Sequence, residues 1–262
     1  MSDFERFEEP IKRNRFSERD KRLPKEFLLH AEGDLSVFYA PVDYVNTQAR
    51  VAICGITPGL QQALLAFVEV KKQLIAGMTF EDALKQVKKK ASFGGPMRAQ
   101  LVSMLDHICV NQKLGIESCK QLFDTHAHLV HCTSALRYPV FVNGDNYRGK
   151  PNMLSTDLLR RQIDKGLVEE FGGLAKEFGK LPKNCIYIPL GPIVAEALSY
   201  LVSKGVIESS KVLDGMPHPS GANAERIKYF IGEKSKESLS QKTNPSKIDE
   251  AKGRLLAKLA AM

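Results

Sequence analysis

A chain of 262 residues, 43% of them hydrophobic, has the size and composition of a soluble globular protein with one large domain or two small ones. No apolar run approaches the roughly 20 residues of a membrane-spanning helix. The start, Met1-Ser2-Asp3-Phe4-Glu5, lacks the basic-then-apolar order of a signal peptide, so no membrane is expected as partner and the expected compartment is cytoplasmic. The formal charge of +8 suits a polyanion, because each neutralised phosphate releases counterions. Cys54, Cys109, Cys119, Cys132 and Cys185 are odd in number and form no Cys-x-x-Cys pair. They are read as reduced structural thiols, with no metal and no cofactor expected.

Residues 1–30 mix Lys12, Arg13 and Arg15 with Glu8, Glu9, Glu18 and Asp20, and read as an arm or a surface helix. Short extended segments are predicted at 37–39 and 44–45. The first firm strand is 51–54, too apolar to leave one face in water. After Gly59 the apolar positions Leu60, Leu64, Leu65, Phe67, Val68, Leu74 and Ile75 fall near helical spacing, up to a break at Gly77. Thr79 as cap and Asp82 in the first turn predict a second helix. It ends in Lys88-Lys89-Lys90, cations suited to the negative end of a helix and read either as a polyanion contact or as a solvated face. Residues 91–96 form a Gly/Pro loop. A helix follows over 97–108 with Leu101, Leu105 and Ile108 inward, and a further helical piece closes on Leu122 and Phe123.

The next strand is predicted at 128–132, and Asn143-Gly144 marks a turn. Residues 155–178 read as helical, 185–191 as strand and loop, and Val194, Ala197, Leu198 and Leu201 as the inner face of the next helix. Val212-Leu213 is a last short strand. Residues 233–245 have the composition of a linker, and 248–262 an amphipathic helix with Leu255, Leu256 and Leu259 on one side. Strands alternating with helices predict an α/β fold, three-layer α/β/α with a short, mostly parallel central sheet. The simplest division is a charged N-terminal arm (1–30), one domain (31–232), and a polar linker with a C-terminal helix (233–262).

Two loops stand out. Gly55-Ile56-Thr57-Pro58-Gly59 follows the strand at 51–54, and His218-Pro219-Ser220-Gly221 follows the strand at 212–213. Each reads as a strand ending in a tight loop that opens a helix. In a parallel sheet ligands bind at the carboxyl ends of strands, so the two loops are expected to close one pocket from opposite sides.

The wording of these loops resembles the first and last motifs of the uracil-DNA glycosylase superfamily, Gly-x-x-Pro-Gly and His-Pro-Ser, with weaker matches between them over about residues 37 to 231. The resemblance implies a uracil-DNA glycosylase-like fold and hydrolysis of the N-glycosidic bond of a damaged or deaminated base in DNA. Such chemistry needs donors at the departing base and a water beside the sugar, with the target rotated out of the stack. It implies catalytic roles for Thr57, holding water, and His218, stabilising the leaving base. Gly55, Ile56, Phe93 (stacking) and His128 would contact the base, and Ser220 and Gly221 a phosphate. DNA is the implied partner, and base-excision DNA repair the implied setting.

Two departures bear on this reading. Active branches carry Asn, Asp or Glu where this chain has Thr57, and a hydroxyl holds water without acting as a general base. The strand position that carries Asn elsewhere falls on His128, with Asn143 or Asn146 as substitutes from the neighbouring loop. The four-cysteine pattern of the iron–sulfur branch is absent from this sequence. Bland readings stand beside the sharp ones: Thr57 as a helix cap, Phe93 as core. Ala222 and Asn223, where relatives place a bulky wedge, predict weak insertion into a duplex. Two other activities stay open: a nucleic-acid or nucleobase-binding protein that keeps the pocket without the catalysis, and a glycosidase for small nucleosides or nucleotides.

Overall fold

The computed structural model describes residues 3–172 and 181–262. In chain order the elements are α1 (Asp3–Arg13), β1 (Leu28–Glu32), β2 (Leu35–Phe38), β3 (Val51–Gly55), α2 (Leu60–Ile75), α3 (Phe80–Ala91), α4 (Pro96–His107), α5 (Val110–Leu114), β4 (Val130–Ser134), β5 (Val140–Val142), β6 (Asp145–Asn146), α6 (Asp157–Ile163), α7 (Glu169–Gly172), β7 (Ile186–Pro189), α8 (Pro192–Ser203), α9 (Ala224–Phe230) and α10 (Pro245–Ala261). The class is α/β, as expected. Of the helical region predicted at 155–178, α6 and α7 are joined by a π-helical turn at Asp164–Val168, and 173–178 lie outside the described residues. No described helix is long and apolar enough to cross a membrane.

The chain divides into two compact units whose segments interleave. The first takes residues 1–45, 56–92 and 133–180, the second 46–55, 93–132 and 181–262. This differs from an arm, one domain and an appendage. The physical reason is that both chain ends carry apolar faces that complete a core.

In the first unit, β1, β2, β5 and β6 form an antiparallel sheet in that order. Phe7 and Ile11, one helical turn apart on α1, are buried at 2% and 0% exposure. Phe7 stacks on Tyr39 with ring centroids 4.6 Å apart. The segment is therefore part of the core and not an arm. Helix α2 buries Ala63, Leu64, Phe67 and Val70 against the same cluster. Thr79 caps α3 as expected, its hydroxyl accepting the Asp82 N–H at 3.2 Å. Of the lysine triplet, Lys90 pairs at 2.6 Å with the carboxylate of Glu69, a buried residue, so that cation has a structural task.

The second unit is built on a sheet of order β4-β3-β7. β3 and β7 run parallel with Val51 opposite Ile186 and Cys54 opposite Pro189, and where a further strand is predicted at 212–213 only an isolated parallel bridge joins Tyr187 to Val212. β4 runs the same way as β3: Arg50 N–H donates to Leu129 C=O where the strands begin, and Leu136 N–H to Ile56 C=O beyond their ends, both at 2.9 Å. Every residue of β3 is buried. Val51, Ile53, Ile186 and Ile188 pack in one cluster with Leu101, Met104, Leu105, Ile227, Phe230, Leu255 and Leu259. Leu256 is 40% exposed, because adjacent residues on a helix point about 100° apart, so α10 buries Leu255 and Leu259 but not the leucine between them.

Residues 233–245 are held in place, in contrast to the linker their composition suggests. The Glu225 carboxylate accepts from Lys234 Nζ at 2.7 Å, from the Ser240 hydroxyl at 2.6 Å and N–H at 3.1 Å, and from the Thr243 hydroxyl at 2.5 Å.

Candidate functional site

The carboxyl edge of the parallel sheet gathers the features of the second unit that point to a ligand. Cys54 opposes Pro189, and Leu190 N–H donates to Cys54 C=O at 2.9 Å, so Gly55 and Gly191 leave the sheet side by side. Gly191 has φ +90° and opens α8; a Cβ placed on it would lie 3.5 Å from the His218 Cβ. His218 therefore stands at the end of β7, on the edge where β3 delivers Gly55. Its ring is partly buried, and burial pushes its pKa below the ordinary 6.5 by disfavouring the cation. Near neutral pH it is a neutral imidazole with one N–H to donate.

The turn after His218 is tight. Ser220 N–H donates to His218 C=O at 2.8 Å, and Asn223 Nδ2 donates to the Ser220 hydroxyl at 3.2 Å. That hydroxyl keeps its own proton for another acceptor. Gly221 and Ala222 are exposed and start a short 3-10 turn into α9.

In the first unit, Ile56 is half-buried and Thr57 is engaged by the main chain. The Thr57 hydroxyl donates to Tyr138 C=O at 2.9 Å and accepts the Val140 N–H at 3.2 Å. It does not cap α2; that place belongs to Gly59, whose N–H donates to Gln62 Oε1 at 3.1 Å. Asn146 stands at the same loop, its Oδ1 accepting the Leu60 N–H at 2.8 Å.

Two residues read as base contacts, Phe93 and His128, stand apart from the His218 edge or inside the core. Phe93 is 7% exposed and packs in the apolar cluster of the second unit, so its ring offers no free face for stacking. Its φ of +49° is unusual for a bulky side chain and marks a strained loop. His128 is exposed and lies in a 3-10 turn (Ala127–Leu129) before β4, at the opposite edge of the sheet from His218. The register is set by Asn46, a buried residue whose Nδ2 donates to the carbonyls of His128 and Val130, both at 2.8 Å. The strand runs Val130–Ser134, so its carboxyl end presents Ser134.

The first unit also holds a buried polar network. Asp43 accepts from the Tyr138 hydroxyl at 2.6 Å and the Tyr39 hydroxyl at 3.0 Å. Burial pushes its carboxyl pKa up, opposed by these donors and by Arg137. Arg137 lies 3.6 Å from Glu170 and donates to Gly166 C=O at 3.2 Å, and the Thr133 hydroxyl donates to Glu170 at 3.1 Å. Tyr138 thus links the network to Thr57: its hydroxyl serves Asp43 and its carbonyl serves Thr57. In the sequence these groups show only as Thr133 within β4 and Arg137-Tyr138 in the short stretch after it, a pattern with no periodicity to assign it.

No protein-family model matches the chain, and no solved structure matches it. The chain is 35% identical over 219 residues to the uncharacterized protein YoxB of Bacillus subtilis (strain 168), covering 83% of this chain and 82% of that protein. With that identity across most of both chains, this protein belongs to the same family as YoxB.

Proposed function

We propose that the chain is a DNA glycosylase-like hydrolase that excises a damaged or deaminated base, with a uracil-DNA glycosylase-like three-layer fold as the finer form of its α/β architecture. The observation that carries this reading is His218, a neutral, partly buried imidazole set against Gly191 at the sheet edge that β3 also reaches. A base leaving as an anion needs a preorganised donor, and an imidazole N–H removed from bulk water is one. The Ser220 hydroxyl and the main chain at Gly221 would take a DNA phosphate, and Thr57 would hold the water with the lone pair its main-chain bonds leave over. The setting is base-excision repair in the cytoplasm, with DNA as partner.

One observation favours a second reading, a nucleobase or nucleic-acid binder without catalysis. The Thr57 hydroxyl is already engaged by two main-chain groups, and no carboxylate or amide replaces it in the motif. The test is a panel of single- and double-stranded oligonucleotides carrying uracil, hypoxanthine, xanthine or mismatches, scored for abasic sites. The hydrolase reading expects abasic sites from at least one substrate, lost in His218→Ala. Salt-sensitive binding with no abasic product from any substrate would establish the binder instead.

A further inference from the structure

The opposite edge of the parallel sheet, where the strands begin, carries a second feature, one that the glycosylase reading does not use. A concavity of about 110 Å³ is lined there by Arg50, Lys113 and Lys211, with Asn184 beside them and Leu114 and Ile186 as an apolar wall. All these residues belong to the second unit. Arg50 immediately precedes β3, Ile186 opens β7, Lys211 precedes the bridge at Val212, and Lys113 and Leu114 end α5.

The guanidinium of Arg50 is held in place: Nη2 donates to Lys113 C=O at 3.3 Å and Nη1 to Leu114 C=O at 3.5 Å. These bonds orient the cation against the negative end of a helix without neutralising it. Among the described residues, none of Arg50, Lys113 and Lys211 has an ion pair. Met262 also lines the space. Three like charges around one concavity raise each other's energy and concentrate anions in it. A fork-shaped guanidinium, two ammonium groups and an amide donor match the oxygens of a phosphate. The enclosed volume is below that of an ordinary ligand site and suits a phosphate group, with the apolar wall beside it for a small organic part that stays partly in solvent.

We propose that this concavity binds a small phosphorylated molecule, with its phosphate on Arg50, Lys113 and Lys211 and its organic part against Leu114 and Ile186. The site is separate from the His218 edge, and its ligand is not the excised base.

Inorganic pyrophosphate is the probe, titrated into the full chain by calorimetry at constant ionic strength. Saturable binding is expected, weakened about tenfold by Lys113→Met and again by Lys211→Met, since each removes one charged hydrogen bond. Arg50 is left in place because it closes α5. The pair Lys113→Arg and Lys211→Arg should keep the affinity, which separates loss of charge from damage to the fold. In a parallel arm, the affinity for a single-stranded oligonucleotide should be unchanged by the methionine variants. Three results would overturn the proposal: no saturable heat with pyrophosphate, wild-type affinity in the double methionine variant, or oligonucleotide binding that falls while pyrophosphate binding does not.

Discussion

Gly191 lies against His218, with 3.5 Å between the position of a Cβ on Gly191 and the His218 Cβ. That spacing is ordinary contact, so a methyl group would fit. The backbone is the obstacle, since φ +90° is a conformation that side chains other than hydrogen disfavour. Gly191→Ala is therefore expected to cost about 1–3 kcal/mol of stability. Thermal unfolding checks this, and an unchanged midpoint would show that the conformation is not under strain.

His218→Ala should remove more excision activity than Thr57→Ala. Losing one well-placed donor to a developing anion costs about 100- to 1000-fold in rate. Thr57 can only position a water, so its loss should cost less. Thr57→Asn or Thr57→Asp, each a stronger water ligand, should raise the rate. Single-turnover excision on the best substrate decides the order, and equal rates in wild type and His218→Ala would exclude this mechanism.

Thr57 also has a structural consequence that does not depend on any reaction. Its hydroxyl joins Tyr138 C=O to Val140 N–H, and Thr57→Val leaves both groups without that partner. A loss of about 1–3 kcal/mol is expected, most of it restored by Thr57→Ser. Denaturant unfolding of the two variants measures it. A valine variant as stable as wild type would mean that water replaces the hydroxyl at no cost.

The latch at Glu225 should respond to acid. Lys234, then Ser240 and Thr243, hold its carboxyl well below its ordinary value of 4.5. A group whose pKa is lowered by folding stabilises fully above its unfolded value, and the effect fades as pH falls through the folded one. The difference in stability between wild type and Glu225→Gln should thus be constant above about pH 5 and shrink below 4.5. Amide exchange of residues 234–243 followed across that range is the measurement. A difference independent of pH would show that the carboxylate charge plays no part.

What the sequence by itself determined is local. The apolar run of β3 could only be a buried strand, and the spacing from Leu60 onward, the cap at Thr79 and the Gly/Pro loops after β3 and Val212 were all set within a few residues of chain.

Only the tertiary structure decided the rest. Charge along α1 hides the two residues, Phe7 and Ile11, that seat it in a core. The register of β4, and with it the removal of His128 from the site, depends on Asn46, more than 80 positions away in the chain. The engagement of Thr57 rests on Tyr138 and Val140, the fixing of residues 233–245 on Glu225, and the three cations of the second site meet only because the end of α5 lies at the sheet edge where β3, β7 and the bridge at Val212 begin. Periodicity and turn chemistry act over one or two turns of chain. The choice of a hydrogen-bond partner or a neighbouring charge is made by whichever groups folding brings within 3 Å or so, and that is a property of the packed whole.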